Sequence, residues 1–180
     1  MKGFTFLLLL AACGGSGSTR ATVSGKVEGT SLNISNSAAF VISGRPGVDV
    51  LLSNAGDGCE ANAANLKSKQ VLSLGVTSLG GAALDAGTFG VYDQQSGNIP
   101  AGTVVFADYH STNERCADTT PPNTLGASGK VTLTKVALGS GGEVSGSFVL
   151  LLENGDHLKG TFDAPVCGDR PDAGADAGCH

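Results

Sequence analysis

Three histidines limit what this chain could catalyse: His110, His157 and His180. Asp108 and His110 lie two apart in a segment that reads as a strand. Alternating side chains put both on one face, with Glu114 in the loop beyond. A carboxylate, an imidazole and a second carboxylate so placed could form a metal corner or a general base. The plainer reading is a polar strand face running into a loop, and on that reading no metal is held. His157 follows a turn and His180 is the last residue, so both are read as solvated.

Nucleophile signatures are missing. No G-x-S-x-G elbow occurs, and the cysteines read as paired with one another, leaving none for a Cys–His nucleophile. Gly139-Ser140-Gly141-Gly142 is glycine-rich, but no Gly-Lys-Ser/Thr follows and the next segment reads as a strand. It is a hairpin loop, not a phosphate cradle. Asn54-Ala55-Gly56-Asp57-Gly58 lacks the alternating acidic ligands and terminal Glu of a calcium loop. With no Trp and few aromatics, sugar stacking is hard to supply. The expectation is a protein that is not an enzyme and carries no cofactor.

The N-terminus is more informative. Lys2 precedes an apolar run from Phe4 to Ala12, far shorter than the ~20 residues a spanning helix needs. It ends Leu10-Ala11-Ala12-Cys13, followed by Gly14-Gly15-Ser16-Gly17-Ser18. This resembles the lipobox of bacterial lipoproteins. The resemblance implies a diacylglyceryl group on the Cys13 thiol, cleavage before Cys13, and acylation of the new amine. Two or more chains hold a protein stably, at about 0.8 kcal/mol per buried CH₂. Gly14 stands where an Asp would imply inner-membrane retention, so the resemblance implies the outer membrane of the cell envelope. The implied partners are the membrane, through acyl chains on Cys13, and an envelope protein.

Cys59, Cys116, Cys167 and Cys179 remain, and an even number in an exported chain reads as disulfides. Four cysteines permit three connectivities. The favoured one is Cys59–Cys116 with Cys167–Cys179, the second stapling a low-complexity Asp-Ala-Gly tail. Zinc is the lesser alternative, because no C-x-x-C or H-x-x-x-H spacing is present. The formal charge of −5 and the absence of a Lys/Arg run argue against the basic footprint a nucleic-acid backbone needs, so no nucleic-acid partner is expected.

These residues must be positioned by strands. Short β-prone runs at 22–27, 38–43, 48–53, 71–79, 87–92, 103–109, 130–138, 144–152 and 157–163 are separated by Gly, Asn, Asp and Ser. The fold class expected is all-β, an antiparallel β-sandwich or small barrel. One short helix is expected near residues 58–66, where Asp57 and Glu60 have capping-box spacing. The domain plan is a signal peptide at 1–12, a flexible tether at 13–20, a β-domain at 21–166 and a tail at 167–180.

Asn154-Gly155 between two apolar runs predicts a two-residue type I′ hairpin. That register sets Glu153 opposite Asp156, Leu151 opposite Leu158 and Phe148 opposite Thr161. Phe148, Leu150 and Leu152 then share a face with His157, Lys159, Thr161 and Asp163. This face is either buried under another segment or is an apolar interaction face. Two functions follow. One is a membrane-anchored structural or protein-interaction module, touching partners through that face or through the 103–109 strand and its following loop. The alternative is a barrel that carries a small apolar ligand or lipid.

Overall fold

The computed structural model describes residues 20–54, 59 and 67–169. Eleven strands are present among them: β1 (Ala21–Ser24), β2 (Lys26–Val27), β3 (Thr30–Ser31), β4 (Asn36–Val41), β5 (Gly47–Ser53), β6 (Gln70–Ser78), β7 (Gly87–Gly90), β8 (Thr103–Ser111), β9 (Gly126–Val136), β10 (Glu143–Leu152) and β11 (His157–Asp169). The chain is all-β, as the glycine-punctuated pattern predicts. The helix expected near 58–66 falls outside the described residues, apart from Cys59. So do Cys13, the signal segment and most of the tail.

Nine strands form one sheet, with the order β7-β9-β10-β11-β4-β5-β6-β8 and β1 added beside β11. Its ends nearly meet. The Tyr92 amide donates to the Val105 carbonyl of β8 at 2.8 Å, Val91 forms a bridge with Val105, and the Tyr109 amide of β8 donates to the Thr124 carbonyl, just before β9, at 3.2 Å. Tyr92 also meets Phe106 edge-on, with ring centroids 5.6 Å apart. The result is a barrel-like sheet, and near-closure protects edges that would otherwise invite pairing with other chains. β2 and β3 form a separate two-stranded ribbon, turned by Glu28 and Gly29, both at positive φ.

β11 joins the two halves. Along one edge it pairs antiparallel with β10. Along the other it meets β1 antiparallel at Lys159–Phe162, then β4 in parallel, with Val166 opposite Ala39 and Asp169 opposite Val41. The buried Ser37 hydroxyl sits at this junction. It shares its proton between the Arg20 carbonyl at 3.0 Å and the Asp163 carbonyl at 2.9 Å. β11 thus continues past the expected strand end at Asp163.

The interior is packed. Alternation along β5, β6, β9, β10 and β11 points Val50, Leu52, Leu72, Leu74, Leu133, Leu150, Leu152 and Leu158 inward, and all are buried. A lumen ringed by about eight strands is narrow enough for such side chains to fill. β5 is buried along its whole length because its outer face, which carries Asp49, Leu51 and Ser53, is also covered. Ala38, Phe40, Leu51 and Val71 form a second buried cluster there, with Cys167 packed against it.

The β10–β11 hairpin departs from the predicted register by one residue. Leu151 faces His157, Leu150 faces Leu158, and Phe148 faces Gly160. The loop has three residues. Gly155 alone takes the left-handed conformation, at φ 87°, and its amide donates to the Leu152 carbonyl at 3.0 Å. Asn154 keeps negative φ because its side-chain oxygen accepts the Asp156 amide at 3.0 Å, an Asx turn that a type I′ loop would not allow. Side chains alternate with period two, so a one-residue slip exchanges the faces. Phe148, Leu150 and Leu152 are therefore core residues and not an interaction face. Two glycines make room for the rings. Phe148 lies over Gly160 and Phe162 over Gly146, each ring within 3 Å of where a Cβ would stand.

Candidate functional site

The disulfides differ from the expected pairing. Cys59 is bonded to Cys167, with Cα atoms 5.7 Å apart, so neither Cys59–Cys116 nor Cys167–Cys179 forms. The cause is the parallel pairing of β11 with β4. It carries Cys167 onto the outer face of the β4–β5 half, where the connection leaving β5 contains Cys59. Cys116 lies beyond β8, at φ 57°, and is also disulfide-bonded.

Asp108 and His110 do share the outer face of β8, but they do not form a metal corner. The His110 Nδ1 lies 2.7 Å from the Thr120 hydroxyl and 3.8 Å from the Asp118 carboxylate. Asp118 accepts the Thr120 amide at 2.8 Å. Hydrogen bonds from Thr120 hold the Asp118 carboxyl below the usual carboxylate range, and His110 adds a smaller pull. Asp108 instead bridges Leu125 through the backbone, and Glu114 is exposed. No three His, Cys, Asp or Glu side chains converge on one point among the described residues. Asp118 and Thr120 could not be picked out from the sequence, because only the loop after β8 brings them back to His110.

With Phe148 inside, the outward side chains of β10 and its neighbours are different residues. Thr22, Thr161, Ser147, Thr132 and Thr88 form a row across β1, β11, β10, β9 and β7, each directly opposite the next. Thr22 bonds Thr161, and Thr88 bonds Thr132, both at 2.9 Å. The adjacent row reads Ser24, Lys159, Val149, Lys130 and Gly90, and the next His157, Leu151 and Ser128. Val149 is 49% exposed between two lysines. At the far end of the face, Lys135 pairs with Glu143 at 3.3 Å. The Ser145 hydroxyl first, and then Lys135, keep the Glu143 carboxyl below its ordinary value.

A polar cleft of about 500 Å³ opens at one end of the barrel. Its walls are the β2–β3 ribbon and the segment after it (Val27, Thr30, Asn33), the end of β5 and the entry to β6 (Asn54, Ser68, Lys69, Gln70), and the end of β8 with its loop (Tyr109, Ser111, Thr112, Thr119, Pro121). The amides are held in place. The Gln70 side-chain oxygen accepts the Asn33 amide at 2.9 Å, and Asn54 accepts the Gln70 amide at 2.8 Å while donating to the Ser68 carbonyl at 2.9 Å. Thr119 and Ser111 hydroxyls lie 3.1 Å apart. Tyr109 is buried at the floor. Burial pushes its hydroxyl above the ordinary phenol pKa, offset in part by hydrogen bonds to Ser111 and Gln70. It is therefore a neutral hydrogen-bonding group at physiological pH. The lining presents hydroxyls, amides and one lysine, with no carboxylate. That chemistry suits recognition of polar groups.

No protein-family model, curated protein or solved structure matches this chain.

Proposed function

We propose that this chain is a lipid-anchored protein of the cell envelope whose β-domain works as a structural or protein-interaction module. Its anchor is the acylated Cys13 of the Leu10-Ala11-Ala12-Cys13 segment. Its contact region is the strand-and-loop segment around β8, including the polar cleft. The observation that carries the reading is the pairing of Cys59 with Cys167 across the outer face. Such a bond persists in an oxidising compartment and is rare where thiols are kept reduced. The packed interior supports a function exercised at the surface. It counts against the alternative, a carrier of a small apolar ligand or lipid, because aliphatic side chains already occupy the lumen.

Labelling with palmitate, comparing the natural chain with Cys13→Ser, tests the anchor. Label that depends on Cys13, in a membrane fraction, supports it; an unlabelled protein in the cytosol overturns it. A photo-crosslinker at exposed Thr119 in intact cells tests the contact region. A discrete adduct supports the module, and absence of any adduct counts against it.

A further inference from the structure

The outer face of β1, β11, β10, β9 and β7 has a composition unlike the rest of this acidic chain. Val149 projects from β10 at 49% exposure, flanked across the ladder by Lys159 on β11 and Lys130 on β9. Neither lysine has an ion-pair partner among the described residues. One row on, the half-buried Leu151 is flanked by His157 and Ser128. An apolar stripe bordered by cations suits the boundary between lipid headgroups and acyl chains, where the apolar side chains insert shallowly and the cations meet anionic headgroups. The hydroxyl row beside it, from Thr22 to Thr88, offers hydrogen bonds to phosphate oxygens.

The start of the described chain points to the same occupant. β1 is the strand of this face nearest the proposed anchor in sequence, and its Thr22 and Ser24 belong to the two rows above. Cys13 precedes Ala21 by eight residues, which reach about 28 Å at most when extended. Five strands at about 4.8 Å spacing make the face roughly 20 Å wide. An acylated Cys13 can therefore enter a bilayer anywhere beneath this face. Asp163 and the Lys135–Glu143 pair lie at the opposite end of it, away from Lys130, Lys159 and His157. At the hairpin tip, Glu153 and Asp156 are half-buried and turned to Gln95 and to the Glu28 amide.

We infer that this face rests against an anionic phospholipid surface and so fixes how the tethered domain stands on its membrane, leaving the cleft lined by Tyr109 free for partners. The inference rests on the lipid-anchor reading of Cys13. The chain contains no tryptophan, so a single introduced indole reports without background. Val149→Trp places it in the apolar stripe. Leu79→Trp places it at the end of β6, across the barrel, at a site 36% exposed. Any preference of the indole itself for interfaces is common to both variants.

The full, lipid-bearing protein is reconstituted into vesicles of phosphatidylcholine, with or without phosphatidylglycerol, and its mass is measured on the same sample. With phosphatidylglycerol present, indole emission from Val149→Trp should shift to the blue and be quenched by brominated acyl chains, while the indole of Leu79→Trp stays water-exposed. Adding Lys130→Gln and Lys159→Gln to the first variant, or about 1 M salt, where the Debye length falls to about 3 Å, should reverse the shift. If the lipid-bearing Val149→Trp protein keeps a water-exposed indole, or if Leu79→Trp carries the shielded one, the docking face is overturned and the anchor stands. A protein without the added lipid mass overturns the anchor, and this inference with it.

Discussion

Leu150 stands directly opposite Leu158 across the β10–β11 ladder, and both are shut away from solvent. That one pair sets which half of the hairpin is core. Leu150→Ala removes three carbons from a filled interior and should cost about 2–5 kcal/mol. Val149→Ala, one residue earlier but facing out, should change stability by no more than about 0.5 kcal/mol. Urea unfolding of the two variants measures the difference. Equal costs would mean that the hairpin is not in this register.

How far the strands were legible follows from period two. Every β-prone run falls on strand because alternating apolar residues and glycine breaks act locally, but the run at 22–27 divides at Gly25, at φ 129°, into β1 and β2 of different sheets. The hairpin register was not legible. Asn-Gly supports both a two-residue and a three-residue loop, and the choice was made by the Asn154 side chain capturing the Asp156 amide. One residue of error then turned the core side chains Phe148, Leu150 and Leu152 into an apparent surface patch. The disulfide was hidden for a different reason. Parallel pairing of β11 with β4 is a contact between opposite ends of the chain, and cysteine spacing carries no trace of it. The two-residue spacing places His110 with Asp108 on the outer face of β8. Its partners Thr120 and Asp118 arrive by a loop whose path depends on tertiary contacts.

Gly160 should tolerate no side chain. A Cβ there would fall on the Thr22 carbonyl of β1 and within 3 Å of the Phe148 ring. Gly160→Ala must push β1 off β11 or displace a buried ring, at an overpacking cost of about 1–3 kcal/mol or more. Gly155→Ala is a useful comparison. It has open space around it, but φ of 87° penalises any side chain, by about 1–2 kcal/mol. Hydrogen exchange separates the two: Gly160→Ala should expose the β1 amides to solvent, and Gly155→Ala should leave them protected. Equal protection of β1 in both variants would contradict the close approach at Thr22.

The Cys59–Cys167 bond closes a loop spanning 108 positions. In the chain-entropy account, a loop of that size restrains the unfolded chain by about 4–5 kcal/mol. The double variant Cys59→Ser/Cys167→Ser leaves no unpaired thiol from this bridge and should lose stability on that scale. Loosening should begin at the outer cluster of Phe40 and Leu51 beside Cys167. Peptide mapping without reduction should recover the 59- and 167-containing peptides joined. Recovery of a peptide joining Cys59 to Cys116 would contradict the topology of β11.

Tyr109 gives the cleft a pH-dependent signature. Burial makes its hydroxyl a weaker acid in the folded protein than the ordinary phenol value of 10.0. Below that value both states keep the proton and the group adds no slope. Above it the unfolded chain ionises first, so the folded state holds more protons and stability falls as pH rises, until the folded hydroxyl also ionises. Tyr109→Phe should abolish this alkaline slope. At neutral pH it should cost about 1–3 kcal/mol, because Gln70 and Ser111 lose the hydroxyl they bond at the cleft floor. Unfolding free energies of both proteins, taken from neutral pH to beyond the phenol range with the disulfides intact, test the assignment. A slope that survives in Tyr109→Phe would place the responsible group elsewhere. A variant as stable as the natural protein at neutral pH would mean that the hydroxyl is not bonded at the floor of the cleft.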